Sequence, residues 1–221
     1  MVKIYLVRHC EAEGNKAGIF QGSTDCDISE TGKEQLRFLT DRFDNIHIDK
    51  AFSSPLIRAK KTAVAAVNNK HIPIITDEAF TEMNGGVIEG KLYRQIFADY
   101  PELKEHWINS PQNFAPPGGE AMRRLYDRAY YAVSRLATDA ENDEKALLIA
   151  THGAFIRCLL CRIVYNNIEK LGSMPFSDNT AVSLLICDKN GIRAEFINDS
   201  SHVPDDFLPK ENRVSATLCE K

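Results

Sequence analysis

Ala146-Leu147-Leu148-Ile149-Ala150-Thr151-His152-Gly153 is the stretch that decides the fold. Five apolar residues in a row match a strand covered on both faces, as in a parallel sheet under helices. The polar Thr-His-Gly that ends it leads into Phe155-Ile156-Arg157-Cys158-Leu159-Leu160-Cys161, a helix with a buried face. The same strand-then-helix plan recurs upstream. Residues 2–7 form a mostly apolar strand ending in Arg8-His9, and residues 50–53 form a short strand ending in Ser53-Ser54-Pro55. Leu36, Leu39 and Phe43 recur at helical spacing across residues 30–44, with either Ser29 or a Thr31-Gly32-Lys33-Glu34 capping box at the start. Ser54 as cap and Pro55 at the first helical position predict a helix through about Asn68.

Residues 72–76 predict another short strand, and Gly85, Gly86 and Gly90 a tightly turned loop. Residues 91–118 read as an insertion, with short helices over 93–100 and 102–108 before Pro111, Pro116 and Pro117. Met122, Leu125, Ala129, Ala132, Val133 and Leu136 share one face of a long helix ending near Asp139. Two late strands, 181–187 and 192–197, flank the turn Asp188-Lys189-Asn190-Gly191. Strands alternating with helices predict a three-layer α/β/α sandwich with a mostly parallel sheet. Residues 1–221 form one domain on this reading, with a helical insertion at about 84–118 over the site.

Composition narrows the function classes. The chain has 221 residues, 43% hydrophobic and 26% charged, with 27 Lys plus Arg against 31 Asp plus Glu and a net charge of −4. That is an ordinary globular balance, and its slight acidity argues against a nucleic-acid partner. No apolar run reaches the roughly 20 residues of a membrane helix, so no membrane partner is expected. The start lacks the plan of a signal peptide. Six cysteines are too sparse for a disulfide scaffold. Cys158 and Cys161 have C-x-x-C spacing with no second metal-ligand pair, so all six read as reduced thiols of a cytoplasmic protein.

Three polar clusters sit at equivalent strand ends: Arg8-His9, Ser53-Ser54-Pro55 with Arg58 one turn on, and His152-Gly153. Ligands of open α/β sheets bind outside the carboxyl ends of the strands. Two Arg, two His and two helix N-termini would converge there on an anion, because guanidinium forks and free N–H groups match phosphate. A neutral imidazole in such a clamp can attack phosphorus, and a carboxylic acid must then protonate the departing alkoxide. Glu82, in the loop after residues 72–76, fits that role better than Glu11 or Glu13. No Asp/Glu cluster has magnesium-ligand character, which favours a metal-free route.

These residues resemble the histidine phosphatase (phosphoglycerate mutase-like) superfamily over nearly the whole chain. Leu6-Val7-Arg8-His9-Cys10-Glu11 looks like its L-V-R-H-G-E signature, and Asn15, Gln21-Gly22 and the segment 25–32 follow in order. Ser53-Ser54-Pro55-Leu56-Ile57-Arg58-Ala59, the block 82–90, Pro117-Gly118-Gly119-Glu120 and Thr151-His152-Gly153 complete the set. The resemblance implies His9 as the phosphorylated nucleophile and Glu82 as the acid. It implies Arg8, Arg58, His152 and Asn15 as phosphoryl ligands, with Gln21, Gly22, Gly153 and Ala154 lining the pocket. It also implies a phosphomonoesterase, monomeric or homodimeric, that acts on a small phosphorylated metabolite without a cofactor. The alternative is a phosphoglycerate mutase dependent on 2,3-bisphosphoglycerate, which carries a longer, more basic insertion and a Tyr after the catalytic Glu. Here Met83-Asn84-Gly85 follow Glu82. A catalytically silent phosphate-binding module is a further reading, and the absence of G-x-G-x-x-G weakens a nucleotide-binding one.

Cys10 departs from the family's usual Gly, so a narrowed pocket or altered loop is expected there. Gly85, Ile88 and Ala121 depart where aromatic residues or Ser are common. Trp107 with Tyr93, Phe97 and Tyr100 forms either a lid or a local core. Arg123-Arg124 reads as a helix face, His202 as structural, and His47, His71 and His106 as surface residues.

Overall fold

The computed structural model describes residues 1–208 except Asn69; Cys219 lies outside them. The six strands are β1 (Val2–Arg8), β2 (Lys50–Ser53), β3 (Ile74–Thr76), β4 (Ala146–Thr151), β5 (Val182–Asp188) and β6 (Gly191–Asp199). They form one sheet in the order β3-β2-β4-β1-β5-β6. The first three pairings are parallel, and β5 and β6 are added antiparallel.

Every residue of β4 is buried, as its apolar run predicts. Leu147 and Ile149 enter the core under α6 (Met122–Thr138) and α7 (Gly153–Tyr165). Leu148 and Ala150 enter the core under α2 (Glu30–Phe43) and α3 (Ile57–Ala66). Successive strand side chains point to opposite faces, so one strand feeds both layers. The α6 stripe Leu125, Ala129, Ala132, Val133 and Leu136 is buried along its length. Ser29 is the cap of α2: its hydroxyl accepts from Gly32 N at 3.0 Å.

One helix start differs from expectation. Instead of opening at Ser54-Pro55, α3 begins at Ile57 and ends at Ala66. The Ser54 hydroxyl is 2.8 Å from His152 Nε2 and accepts from Leu56 N at 3.3 Å, so it serves the strand-end loop.

The short helices are α1 (Glu13–Ala17), α4 (Tyr93–Asp99) and α5 (Pro101–Asn109). The segment entering α4 is stitched to the chain after α1 by backbone bonds from Phe20 N to Lys91 O, Gly90 N to Phe20 O and Tyr93 N to Gly18 O. An antiparallel bridge joins Ile19 and Leu92.

Candidate active site

Sheet register brings the polar strand ends together. Arg8 pairs with Thr151 and Ser53 with Ala150, so the chain after each strand emerges on one edge. A cavity of about 860 Å³ opens there. Arg8, His9, Asn15, Gln21, Gly22, Arg58, Glu82, Gly153 and Ala154 all line it. His152 does not. It is fully buried behind His9, with ring centroids 5.1 Å apart. At the start of α3, which carries Arg58 to the cavity, Asp25 accepts from the first N–H at 2.9 Å.

His9 is fixed from several sides. Its backbone N–H donates to Thr151 O at 2.9 Å, and its carbonyl accepts from the Asn179 side chain at 2.9 Å. Its Nδ1 lies 2.7 Å from Cys10 O. A carbonyl only accepts, so Nδ1 carries the proton and Nε2 keeps its lone pair in the neutral ring. Burial, then Arg58, then Arg8 hold the His9 pKa well below 6.5. Burial and the same arginines also depress His152. Neutral imidazole is therefore the resting form of both rings.

Two guanidiniums flank His9. Arg58 is 1% exposed and donates to Gly22 O and Thr24 O, each at 2.8 Å. Arg8 donates to Ser177 O. The Nε of each, together with His152 Nδ1, is buried with no partner among the described residues. Arg8 and Arg58 both line the cavity, so their unpartnered guanidinium donors are available to an anion there. Asn15 spends its side-chain oxygen on Ala12 N at 3.0 Å, which leaves its amide donor for the cavity.

Glu82 sits on the start of α7. Its carboxylate accepts from Ala154 N at 2.9 Å, Phe155 N at 3.1 Å and Met83 N at 2.9 Å. These three N–H groups fix the position of the Glu82 side chain at the helix start. Arg128 holds the segment from below, donating to Ala79 O and Thr81 O and pairing bidentately with Glu120. The rival Glu11 accepts from the Ser29 hydroxyl at 2.7 Å, and Glu13 is exposed.

Glu89 is a residue whose place the sequence reading left unassigned. It accepts from Gly85 N at 2.7 Å, from Ser23 N at 2.8 Å, from Thr24 N at 3.0 Å and from both hydroxyls of that pair. The loop is thus held by Glu89 on one side while its carbonyls hold Arg58 on the other. Gly22 permits this: its φ is +47°, and a Cβ there would lie 2.1 Å from Glu89 Oε1. The motif block contained Glu89 and Glu120, but only the fold shows what they touch. Asn179 and Ser177 carried no periodic or motif signal.

Cys10 does not narrow the cavity. Its side chain is fully buried and its φ is not positive, so the position does not demand Gly. Burial pushes its thiol up to about 12, which makes it a poor nucleophile. Trp107 combines both expectations, lining the cavity while packing on Phe114 at 4.9 Å. Arg123 pairs with Glu169, as a helix face would. Among the described residues no group of three His, Cys, Asp or Glu side chains could hold a metal, and no helix is long and apolar enough to cross a membrane.

A model of the histidine phosphatase superfamily (branch 1) matches residues 4–200. The chain belongs to that superfamily. Phosphoserine phosphatase 1 of Hydrogenobacter thermophilus is 30% identical over 185 residues, covering 84% of this chain and 86% of that protein. A probable phosphoglycerate mutase of Yersinia pestis, GpmB, is 29% identical over 74% of this chain and 75% of its own. The solved structure of Bacillus stearothermophilus YhfR superposes with a TM-score of 0.87 at 27% identity, covering 92% of this chain and 100% of that one.

Proposed function

We propose that this histidine phosphatase hydrolyses small phosphomonoesters through a covalent phosphohistidine at His9. The observation that carries the reading is the tautomer. With Nδ1 committed to Cys10 O, Nε2 offers its lone pair beside the unpartnered Nε atoms of Arg8 and Arg58. The phosphoryl oxygens bind these arginines and the Asn15 amide. His152 acts from behind, through the ring it packs against His9 and through its own unpartnered Nδ1.

His9 Nε2 attacks phosphorus, and the bond to the alcohol oxygen breaks. Glu82 in its acid form gives its proton to that oxygen, and the alcohol leaves. The resulting carboxylate takes a proton from water, whose oxygen attacks phosphorus. The P–N bond breaks, inorganic phosphate departs, and His9 is again neutral with Glu82 protonated. Positioning and charge stabilisation are what a loose phosphoryl transition state needs. A cavity of about 860 Å³ leaves room for the second-step water, whereas a mutase must keep water from the phosphohistidine. The relative named phosphoserine phosphatase supports the same choice.

Every group in the scheme comes from one chain, so a monomer suffices. The described cysteines are all free thiols, which supports a cytoplasmic setting. The test is phosphate release in EDTA from a panel of phosphomonoesters, with 3-phosphoglycerate plus 2,3-bisphosphoglycerate in parallel. Release that vanishes in His9→Ala is expected. Release requiring added magnesium, or isomerisation without phosphate release, refutes the proposal.

A further inference from the structure

The phosphoryl-binding end occupies only part of the cavity. At about 860 Å³ it lies near the top of the roughly 300–1,000 Å³ range of sites for drug-sized ligands. The remainder is walled by aromatic rings. Tyr93 and Trp107 lie 5.8 Å apart, Trp107 stacks on Phe176 at 5.9 Å, and Phe20 meets Tyr93 edge-on at 5.8 Å. Tyr93 meets Trp107 at 50° and Phe20 at 66°, so the rings form a faceted apolar wall against which another aromatic ring can pack.

Charge on the lining is unevenly satisfied. The three carboxylates already have donors: Glu82 at the start of α7, Glu11 from the Ser29 hydroxyl, and Asp178 from the Ser200 hydroxyl at 3.0 Å. Lys16, Arg94 and Lys104 line the same cavity, and among the described residues their side chains have no hydrogen bond or ion pair. Lys16 and Arg94 are exposed and Lys104 half-buried, which places them towards the mouth. The acidic Asp99, Glu102 and Glu105 of the same segment do not line the cavity.

We propose that the preferred substrates are phosphomonoesters of apolar, ring-bearing alcohols that carry a second anionic group. The phosphoryl lies at His9, the apolar body against Tyr93 and Trp107, and the second anion among Lys16, Arg94 and Lys104. The proposal rests on the hydrolytic reading above. A short zwitterionic alcohol fits poorly, because it leaves the aromatic wall uncovered and brings an ammonium towards three cations.

The test compares kcat/KM for 4-(2-phosphonooxyethyl)benzoate, 2-phenylethyl phosphate, ethyl phosphate and O-phospho-L-serine. The first two share one primary alcohol as leaving group and differ by one remote carboxylate. The benzoate ester is expected to exceed the phenylethyl ester by about tenfold, the product of three exposed pairings worth a few-fold at most each. Added salt shrinks that ratio. The triple variant Lys16→Ala, Arg94→Ala, Lys104→Ala brings it close to one, and Arg94→Glu alone lowers it. Phenylethyl over ethyl phosphate reports the aromatic wall and falls in Trp107→Ala. A wild-type benzoate ratio of one or below, or a ratio that survives the triple variant, overturns the inference while leaving hydrolysis intact. Superior turnover of O-phospho-L-serine overturns it too. If no ester is hydrolysed in a His9-dependent way, the hydrolytic reading itself fails and the inference falls with it.

Discussion

Replacing Glu89 with glutamine would cut a chain of contacts that ends at Arg58. The glutamine oxygen can keep the donors now on Oε1, namely Gly85 N at 2.7 Å and Ser23 N at 2.8 Å. The amide nitrogen would then face Thr24 N, now 3.0 Å from Oε2, and two donors cannot bond. A lost charge-assisted bond is worth about 1.5–3 kcal/mol. Solvent reaches this loop, so about 2 kcal/mol is the reasonable figure. Thr24 O is one of the two carbonyls that hold Arg58 at 2.8 Å. If that cost appears as lost ordering of Arg58, kcat/KM falls by about 30-fold. The assay is steady-state hydrolysis together with the inhibition constant for inorganic phosphate, which weakens in parallel. Thermal melting by circular dichroism checks that the chain still folds. A lowered melting temperature with unchanged kcat/KM and phosphate inhibition would refute the link from Glu89 to Arg58.

Further outcomes follow from the same geometry. Glu82→Gln slows alkyl esters by about 10²–10⁴-fold, the usual worth of a general acid, but slows p-nitrophenyl phosphate far less; equal losses would remove the acid role. In NMR titration the His9 ring keeps its neutral shifts as pH falls through 6.5, because burial, Arg58 and Arg8 depress its pKa; a transition at 6.5 would contradict this. His202 has its pKa lowered to about 4, by burial first and then by Arg42. A histidine depressed on folding stabilises fully above its unfolded value near 6.5, and that contribution is lost as pH falls towards 4. The span corresponds to about 3 kcal/mol, or about half that for a ring that solvent partly reaches. Urea melts of His202→Gln should lose about that much of the slope between pH 6.5 and 4, and an unchanged slope would show that His202 is not its source.

Much of the candidate site was legible because chemistry and topology coincide in short words of sequence. Arg8-His9 and Thr151-His152 follow apolar strands, and parallel register must align their carboxyl ends. Elements with a strong period, such as α6, were also readable to within a residue or so. The misreadings arise where tertiary contacts outrank local preference. Ser54-Pro55 has the form of a helix start, but the Ser54 hydroxyl is drawn to His152. The place of His152, expected as a phosphoryl ligand, comes only from the fold, which packs its ring on His9. The anchoring by Glu89, Arg128 and Asn179 joins segments from 46 to 170 residues apart. No local pattern encodes contacts of that range.

The backbone stitching of residues 18–20 to residues 90–93 bears on how this site diversifies. The reacting groups stand on the edge of a central sheet, while Phe20, Tyr93 and Trp107 stand on or beside that ribbon. Substrate preference can therefore drift without disturbing the nucleophile, but the two ribbon halves are not free to drift separately. A transplant of residues 90–107 from a relative would keep the backbone bonds but set foreign side chains against Phe20, which now packs on Tyr93 and Trp107. A library built to retarget the enzyme should treat the two distant stretches as one heritable unit.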